Sequence, residues 1–475
     1  MITARRAVLA VATAALLVAA LLPAAAQATT QPEPGLFNPA FVEALHDPIV
    51  AVGLGRVPSP VEVSVGAAAE ARAARMAEPS YFSLLDENRV SPVGDQRDYN
   101  TCWAFANTGA LESKLLPGES WDFSEDNMVG RSGFGPSQSW RYYFGGYDFM
   151  AVAYLARWSG PVAERDDPYG DRWTPRVKVR KHVQGVAMAP GRSNPLENDL
   201  IKRLVRENGA LSVGMFWDSG AYGIDPLSGR ATHYLPTPMG ENHGVDIVGW
   251  DDDFDKAAFA GAYGDPAGNG AFLVRNSWGS GFGEGGYFWA SYYDASFARD
   301  QGFGSLGGCT SYTDVQDVGN YSRVYQYDKL GVTDHWGFGT TRVWGANRFK
   351  VKTTQTIAAA GFYTLASSTR YEVWGGRTFR SLRLRASGTV ELPGYTTVPL
   401  DKKLRAYRGR QFVIAVKLVS PGETHPMAME RPAARWMSGA RAKRGQSYLS
   451  RNGSRWIDAS RVRANSSVCI KAYAR

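Results

Sequence analysis

The chain has 475 residues, 44% hydrophobic, 12% aromatic and 21% charged, with 52 glycines and a formal net charge of +8. That length exceeds the size at which one hydrophobic core usually stops growing, which excludes a single small domain and predicts two folded units plus extensions. The composition is that of an ordinary globular protein rich in loop and strand, and the basic residues are spread rather than run together, so no nucleic-acid partner is indicated.

In chain order, Arg5 and Arg6 precede the apolar run AVLAVATAALLVAALL and then PAAAQA. Charged, apolar and small residues in that order read as a secretory signal peptide over 1–28, with cleavage after Ala28. Its removal takes away two arginines and no acids, lowering +8 to +6. No later stretch is long and apolar enough to cross a membrane, so the mature chain is expected to be secreted or otherwise extracytoplasmic, without a membrane span. Three cysteines in an oxidising compartment leave at least one thiol unpaired.

Residues 29–78 contain QPEPGL, Pro58-Ser-Pro60 and the start of the alanine-rich stretch GAAAEARAARMAEPS, with few bulky apolar residues. They read as a pro-segment or N-terminal extension. From 79 to 305, helical segments (Trp103–Leu116, Tyr147–Trp158, Leu196–Asn208) precede strand-like ones (Leu211–Phe216, Gly244–Trp250, Ala271–Arg275, Gly286–Ser291), which predicts an α+β unit. Across 306–475 the runs become short, aromatic and β-branched, such as Arg323–Tyr327, Ala359–Leu365, Tyr371–Trp374 and Gln411–Lys417. Gly, Ser and Asn stand between them, predicting an all-β sandwich.

The chemistry gathers in the α+β unit. Cys102 opens a helical segment in QRDYNTCWAFANTGALE, with Asn100 or Thr101 available as cap. A thiol in a first helical turn sits at the positive end of the helix dipole, which favours thiolate, and a histidine beside it would give a nucleophile. By itself the residue remains open to three fates: nucleophile, half of a disulfide, or small buried side chain. Gln96, just upstream, is placed to complete an oxyanion hole with the Cys102 backbone N–H. Of six histidines, His243 in ENHGVDIVGW stands at the start of an apolar strand, whereas His182 and His233 lie in polar, loop-like surroundings. In FLVRNSWGSGFGEGGY, Asn276 at a strand end could accept a hydrogen bond from His243, with Trp278 shielding that bond from water.

Gln96, Cys102-Trp-Ala-Phe105, Asn242-His243 and Asn276-Ser-Trp-Gly279, in that order, resemble the papain family of cysteine peptidases over roughly Pro79 to Asp294. His243 follows the cysteine at the family's usual roughly 130–150 residues, and Asn276 lies beyond that range. The extra length falls in Asp251–Gly270, which reads as a loop insertion. The resemblance implies a helical left subdomain carrying Cys102, a barrel-like right subdomain carrying His243 and Asn276, and a substrate cleft between them. It further implies Cys102 as nucleophile, His243 as its acid–base partner, Asn276 as the residue orienting His243, and Gln96 as oxyanion donor. Gly145 and Gly146 resemble the family's glycine pair that binds the substrate backbone, and Asn242 and Trp278 would flank the cleft. Where the family has a disulfide near the nucleophile, this chain has Tyr99 and Tyr143, and a tyrosine contact is expected to substitute. Phe282 stands where a second tryptophan is common.

The C-terminal part resembles the lectin-like β domain appended to secreted prokaryotic papain-type peptidases, on YSRVYQYDKLG (321–331), Gly361-Phe-Tyr-Thr364, SYLSRNGSRW (447–456) and Val468-Cys-Ile-Lys-Ala472. By analogy alone this implies a cell-surface carbohydrate partner, beside protein or peptide substrates for the first unit. Of the tryptophans there, Trp336, Trp344 and Trp374 are expected to pack in the core rather than stack on sugars. With Cys102 as the nucleophile the resemblance implies, Cys309 and Cys469 are left to form a disulfide between the first and last strands of the β domain. No cofactor and no metal site are expected, since the Asp251-Asp-Asp-Phe-Asp255 spacing fits no calcium loop. An exported cysteine peptidase is one function these residues support. A secreted binding protein using a peptidase fold as scaffold is the other, although a scaffold has no need for Cys102, His243, Asn276 and Gln96 together.

Overall fold

The computed structural model describes residues 30–46, 54–73, 78–170, 174–299, 308–433 and 436–475. The expected signal peptide and the expected boundary at 305 lie outside them.

The helix Cys102–Leu115 has no polar stripe, and every residue from Cys102 to Ser113 is buried, so it sits inside the molecule rather than on it. Its buried amide and carboxylate side chains are paired: Asn107 donates to the Trp103 carbonyl at 2.8 Å and accepts from Tyr312, and Glu112 accepts from the Phe123 N–H at 2.6 Å. The helices Glu125–Arg131 and Asp148–Ala156 pack around it through Trp103, Leu111, Met128, Val129, Val152 and Leu155. Across the cleft, the strands Leu211–Met215, His243–Asp251, Ala271–Arg275 and Tyr287–Ser291 run antiparallel in that order, with Met215 opposite His243 and Asp246 opposite Arg275. Their inner face buries Val213, Val245, Ile247, Phe272 and Phe288. Truncating one such phenylalanine to alanine costs about 3–5 kcal/mol.

Helix and strand meet closely at one place. A Cβ on Gly109 would lie 1.2 Å from Arg275 Nη2 and 2.7 Å from Asp246 Oδ2. Only glycine leaves room there for the buried Arg275–Asp246 ion pair, 2.6 Å long, beneath the helix.

The second unit is a sandwich, with one element shared. A thirteen-stranded sheet runs through both units: Lys181–Ala189 pairs with Cys309–Asp317 on one side and with Gly394–Ala406 on the other. Cys309–Asp317 lies past the expected boundary, yet it also pairs with Leu211–Met215 of the first unit. Facing this sheet is a six-stranded one built on Thr369–Gly376, Gln411–Val419 and Arg342–Lys350. Val343, Phe349, Phe362, Val416 and Ile470 fill the layer between. Within the extension, Glu33–Pro34 adds an edge to the small sheet of Asp334–Gly337, and Ala67–Ala73 is helical as its alanines predict. Trp336 is fully buried, whereas Trp344 and Trp374 are half-buried.

Two expectations are corrected. Cys309 and Cys469 form no disulfide, and all three cysteines are free and buried. Cys309 begins a strand of the first unit's sheet and packs in its apolar core, while Cys469 belongs to the cluster around the central helix and donates to the Gly331 carbonyl at 3.2 Å. His182 and His233 are strand residues rather than loop residues: His182 stacks on Trp158 with centroids 3.7 Å apart, and His233 pairs with Asp294 at 2.9 Å. A thiol assay on the protein unfolded without reductant should therefore find three free thiols per chain. A count of one would restore the disulfide.

Candidate active site

Cys102 is the first residue of the central helix, and no side chain caps that helix. Thr101 shares its hydroxyl with Tyr169 at 2.6 Å, and Asn100 accepts from Leu54 N–H and donates to the Tyr143 carbonyl, so neither expected cap forms. The Gly244 N–H, immediately after His243, instead points at the Cys102 sulfur at 3.2 Å. Burial pushes the thiol up to about 12, against the stabilising effect of the Gly244 N–H, the Arg56 charge and the Trp103 N–H.

His243 is held through one ring nitrogen. Its Nε2 lies 2.8 Å from Asn276 Oδ1, and that oxygen also accepts the Ser277 N–H at 2.8 Å, which fixes the amide's orientation. An acceptor there requires the proton on Nε2, leaving the lone pair on Nδ1, a buried atom with no hydrogen-bond partner. Burial lowers the His243 pKa to about 4, Asn276 opposing it and His233 adding to it. Trp278 stacks on the ring with centroids 4.8 Å apart, and Trp217 stands edge-on to Trp278 at 4.7 Å. With the site as it stands, thiol and imidazole are both neutral.

Gln96 is tied to the same turn. Its N–H donates to the Ser277 carbonyl at 2.8 Å, and its Oε1 accepts the Ser277 hydroxyl at 2.6 Å. Its Nε2 donates to the Tyr99 carbonyl at 2.7 Å and to the Leu54 carbonyl at 3.1 Å.

Leu54 belongs to the extension, and the residues after it run through the cleft. The Gly55 and Arg56 N–H groups donate to the Asn242 carbonyl, each at 3.0 Å. Gly146 N–H donates to the Gly55 carbonyl at 2.9 Å, and Val57 N–H donates to the Gly146 carbonyl at 3.0 Å, a parallel bridge. The glycine pair thus holds a peptide backbone. Gly145 has φ +72, and a Cβ on it would lie 2.3 Å from the Gly55 carbonyl oxygen; one on Gly146 would meet the Trp103 ring at 2.6 Å. The Arg56 side chain turns inward onto Asp148 and Glu241.

All eight expected positions converge: Cys102, His243, Asn276 and Gln96 at the centre, Gly145, Gly146 and Asn242 around the bound segment, Trp278 over the His243–Asn276 contact. Trp278 acts on the histidine rather than on the peptide, and Asn242 contacts the peptide by its carbonyl while its side chain fastens Trp217. Tyr99 and Tyr143 touch edge to face at 5.7 Å, the contact expected in place of a disulfide. Sequence reading missed Ser277, Trp217, Asp148, Glu241 and Arg56. Ser277 lies inside the Asn276-Ser-Trp run and Asp148 directly follows Gly-Gly-Tyr, so both stood within motifs already singled out; nothing local marks Trp217 or Arg56.

Residues 79–298 match the family model described as papain family cysteine protease, and 324–474 match the lectin like domain. Cysteine proteinase 15A of Pisum sativum is 30% identical over 226 residues, 44% of this chain and 57% of that protein. Human cathepsin L2 is 29% identical over 224 residues, 44% of this chain and 59% of its own length. The chain thus spans under three fifths of these curated relatives. The crystal structure of the cysteine protease and lectin-like domains of Cwp84, a surface layer associated protein of Clostridium difficile, superimposes with TM-score 0.78 at 23% identity. It covers 94% of this chain and 99% of that one. A second structure of the clostridial protease, after propeptide cleavage, gives TM-score 0.71 at 24% identity, over 84% and 100% of the two chains. The chain thus matches the papain family of cysteine proteases over residues 79–298 and the lectin like domain over 324–474.

Proposed function

We propose that the protein is an exported cysteine peptidase whose residues 29–78 act as an inhibitory pro-segment. The observation that carries the reading is that Cys102, His243, Asn276 and Gln96 are gathered in one cleft in which Gln96, Asn242 and Gly146 hold a peptide backbone, that of residues 54–57.

In the uncovered enzyme, His243 Nδ1 takes the Cys102 proton and the sulfur bonds to the substrate carbonyl carbon. The carbonyl oxygen becomes an oxyanion, and Gln96 Nε2 donates to it as it now donates to the Leu54 carbonyl. His243 passes its proton to the nitrogen as the C–N bond breaks, releasing the amine and leaving a thioester on Cys102. Water, deprotonated by His243, adds to the thioester carbon; the C–S bond breaks, the carboxylic acid leaves and the thiol is restored. Asn276 positions the imidazole throughout, and Trp278 and Trp217 keep water from the bond that does so.

An extracytoplasmic location is supported by the N-terminal signal pattern and by the surface-layer association of the clostridial relative. No helix among the described residues is long and apolar enough to cross a membrane. The β domain is read as a carbohydrate-binding anchor, supported by half-buried Trp344 and Trp374 on its six-stranded sheet, with half-buried Trp456 of the adjoining loop edge-on to Trp344.

The processed chain should hydrolyse peptides, and Cys102→Ala should abolish this. His243→Ala should lower kcat by about 10²–10⁴-fold, and Gln96→Ala by about 10²–10³-fold. Hydrolysis that survives in Cys102→Ala refutes the assignment. The covered state should also depend on pH. A histidine held down near 4 stabilises that state above about 6.5, and the stability is lost as pH falls from there. A thiol held up near 12 stabilises it below about 8.5, with loss as pH rises. Removal of residues 29–78, followed by gel and normalised to peptide hydrolysis at each pH, should be slowest between these values and faster below 6.5. A rate that falls monotonically on acidification contradicts this.

A further inference from the structure

Arg56 of the pro-segment sends its side chain into a polar pocket near Cys102. Its Nη1 and Nη2 meet Asp148 Oδ1 and Oδ2 at 2.5 and 2.8 Å, and its Nε meets Glu241 Oε2 at 3.1 Å. All three side chains are about nineteen-twentieths buried. The receptor is built independently of Arg56: Asp148 Oδ1 also accepts from Asn107 and Ser212, at 2.8 and 3.1 Å, and Oδ2 from Thr310 at 2.8 Å. Tyr147, Met188 and Cys309 complete the walls. Burial works to raise the Asp148 pKa, but the Arg56 charge and these donors hold it below the usual carboxylate range, so it is an anion.

The backbone contacts of Gly55 to Val57 with Gly146 and Asn242 hold Arg56 as a strand held in the cleft presents a side chain. Removing the pro-segment takes the Arg56 charge away from the buried Asp148 and Glu241 carboxylates, which favours entry of another cation. The fork geometry selects which cation: a planar guanidinium satisfies both Asp148 oxygens and Glu241 at once, whereas an ammonium is a point charge.

We infer that Asp148 and Glu241 form the selectivity pocket of the mature enzyme, recognising an arginine side chain on the substrate residue whose backbone lies against Gly146. The pro-segment inhibits by filling that pocket with its own arginine. This rests on the peptidase reading, and the tests separate the two.

Peptide substrates varied at each position should show, for the processed enzyme, one position where arginine exceeds leucine and the neutral isostere citrulline at least tenfold in kcat/KM, with lysine between. Glu241→Gln should lower the ratio of the arginine to the leucine peptide's kcat/KM about tenfold. Cys102-dependent hydrolysis with no such preference overturns the pocket and leaves the peptidase standing. Hydrolysis that is absent, or survives Cys102→Ala, overturns the peptidase reading. The pocket itself is then read without catalysis in the full chain. Arg56→Ala should melt lower than wild type, and millimolar methylguanidinium should raise its melting temperature more than methylurea or methylammonium does. Equal effects of the three overturn the pocket. Should Arg56→Ala fail to fold, Arg56→Lys carries the same comparison.

Discussion

The close contact between the Cys102–Leu115 helix and the His243–Asp251 strand is the constraint on which the site depends. Gly109 lets the helix lie over the Arg275–Asp246 pair, and the Gly244 N–H of the strand reaches the Cys102 sulfur at 3.2 Å. Arg275 also donates to the Ser91 carbonyl and hydroxyl, at 3.1 and 2.8 Å, so the end of its strand is anchored to both subdomains. Asn276 comes next in the chain. The position of the group that orients His243 is thereby set by a buried ion pair one residue away.

From that anchor the remaining geometry follows by short links. Asn276 fixes the His243 tautomer, Ser277 fixes Gln96, and Trp278 covers the histidine, so four consecutive residues from Arg275 to Trp278 each do one job. Because Gln96 and Cys102 lie on the helical side and His243 and Asn276 on the strand side, a small shift between subdomains would pull apart donor, nucleophile and base together. Polar contacts across the cleft therefore serve two ends, holding the fold and pre-aligning the reacting groups.

Much of the catalytic centre was legible because its chemistry needs rare residues in fixed local settings: a cysteine at a helix start, a histidine at a strand start, an asparagine before Ser-Trp-Gly. The three helices and four strands expected in the first unit lie within a few residues of observed elements, whereas the short helices Glu125–Arg131 and Gln138–Tyr143 were not foreseen. What was not legible depended on where distant strands meet. Lys181–Ala189, with Gly185 and polar residues interspersed, reads weakly as a strand, yet it joins the two units. The Cys309–Cys469 pairing failed for the same reason, since a count of leftover thiols carries no position, and Cys309 lies in the first unit's sheet. Arg56 was hidden in an extension whose composition suggested no core, because its importance comes from two carboxylates, one ninety-two and one 185 positions away.

The account makes the pro-segment both a cover and a mimic: it keeps thiol and imidazole neutral by burial, and it satisfies the backbone and charge receptors that a substrate would use. The most direct test is labelling with a peptidyl epoxide inactivator, read by intact mass and peptide mapping, on the chain before and after loss of residues 29–78. The account predicts one adduct, on Cys102, after that loss, and none, or very slow labelling, before it. Equal labelling of both forms, or no adduct on Cys102 in the processed chain, would contradict it.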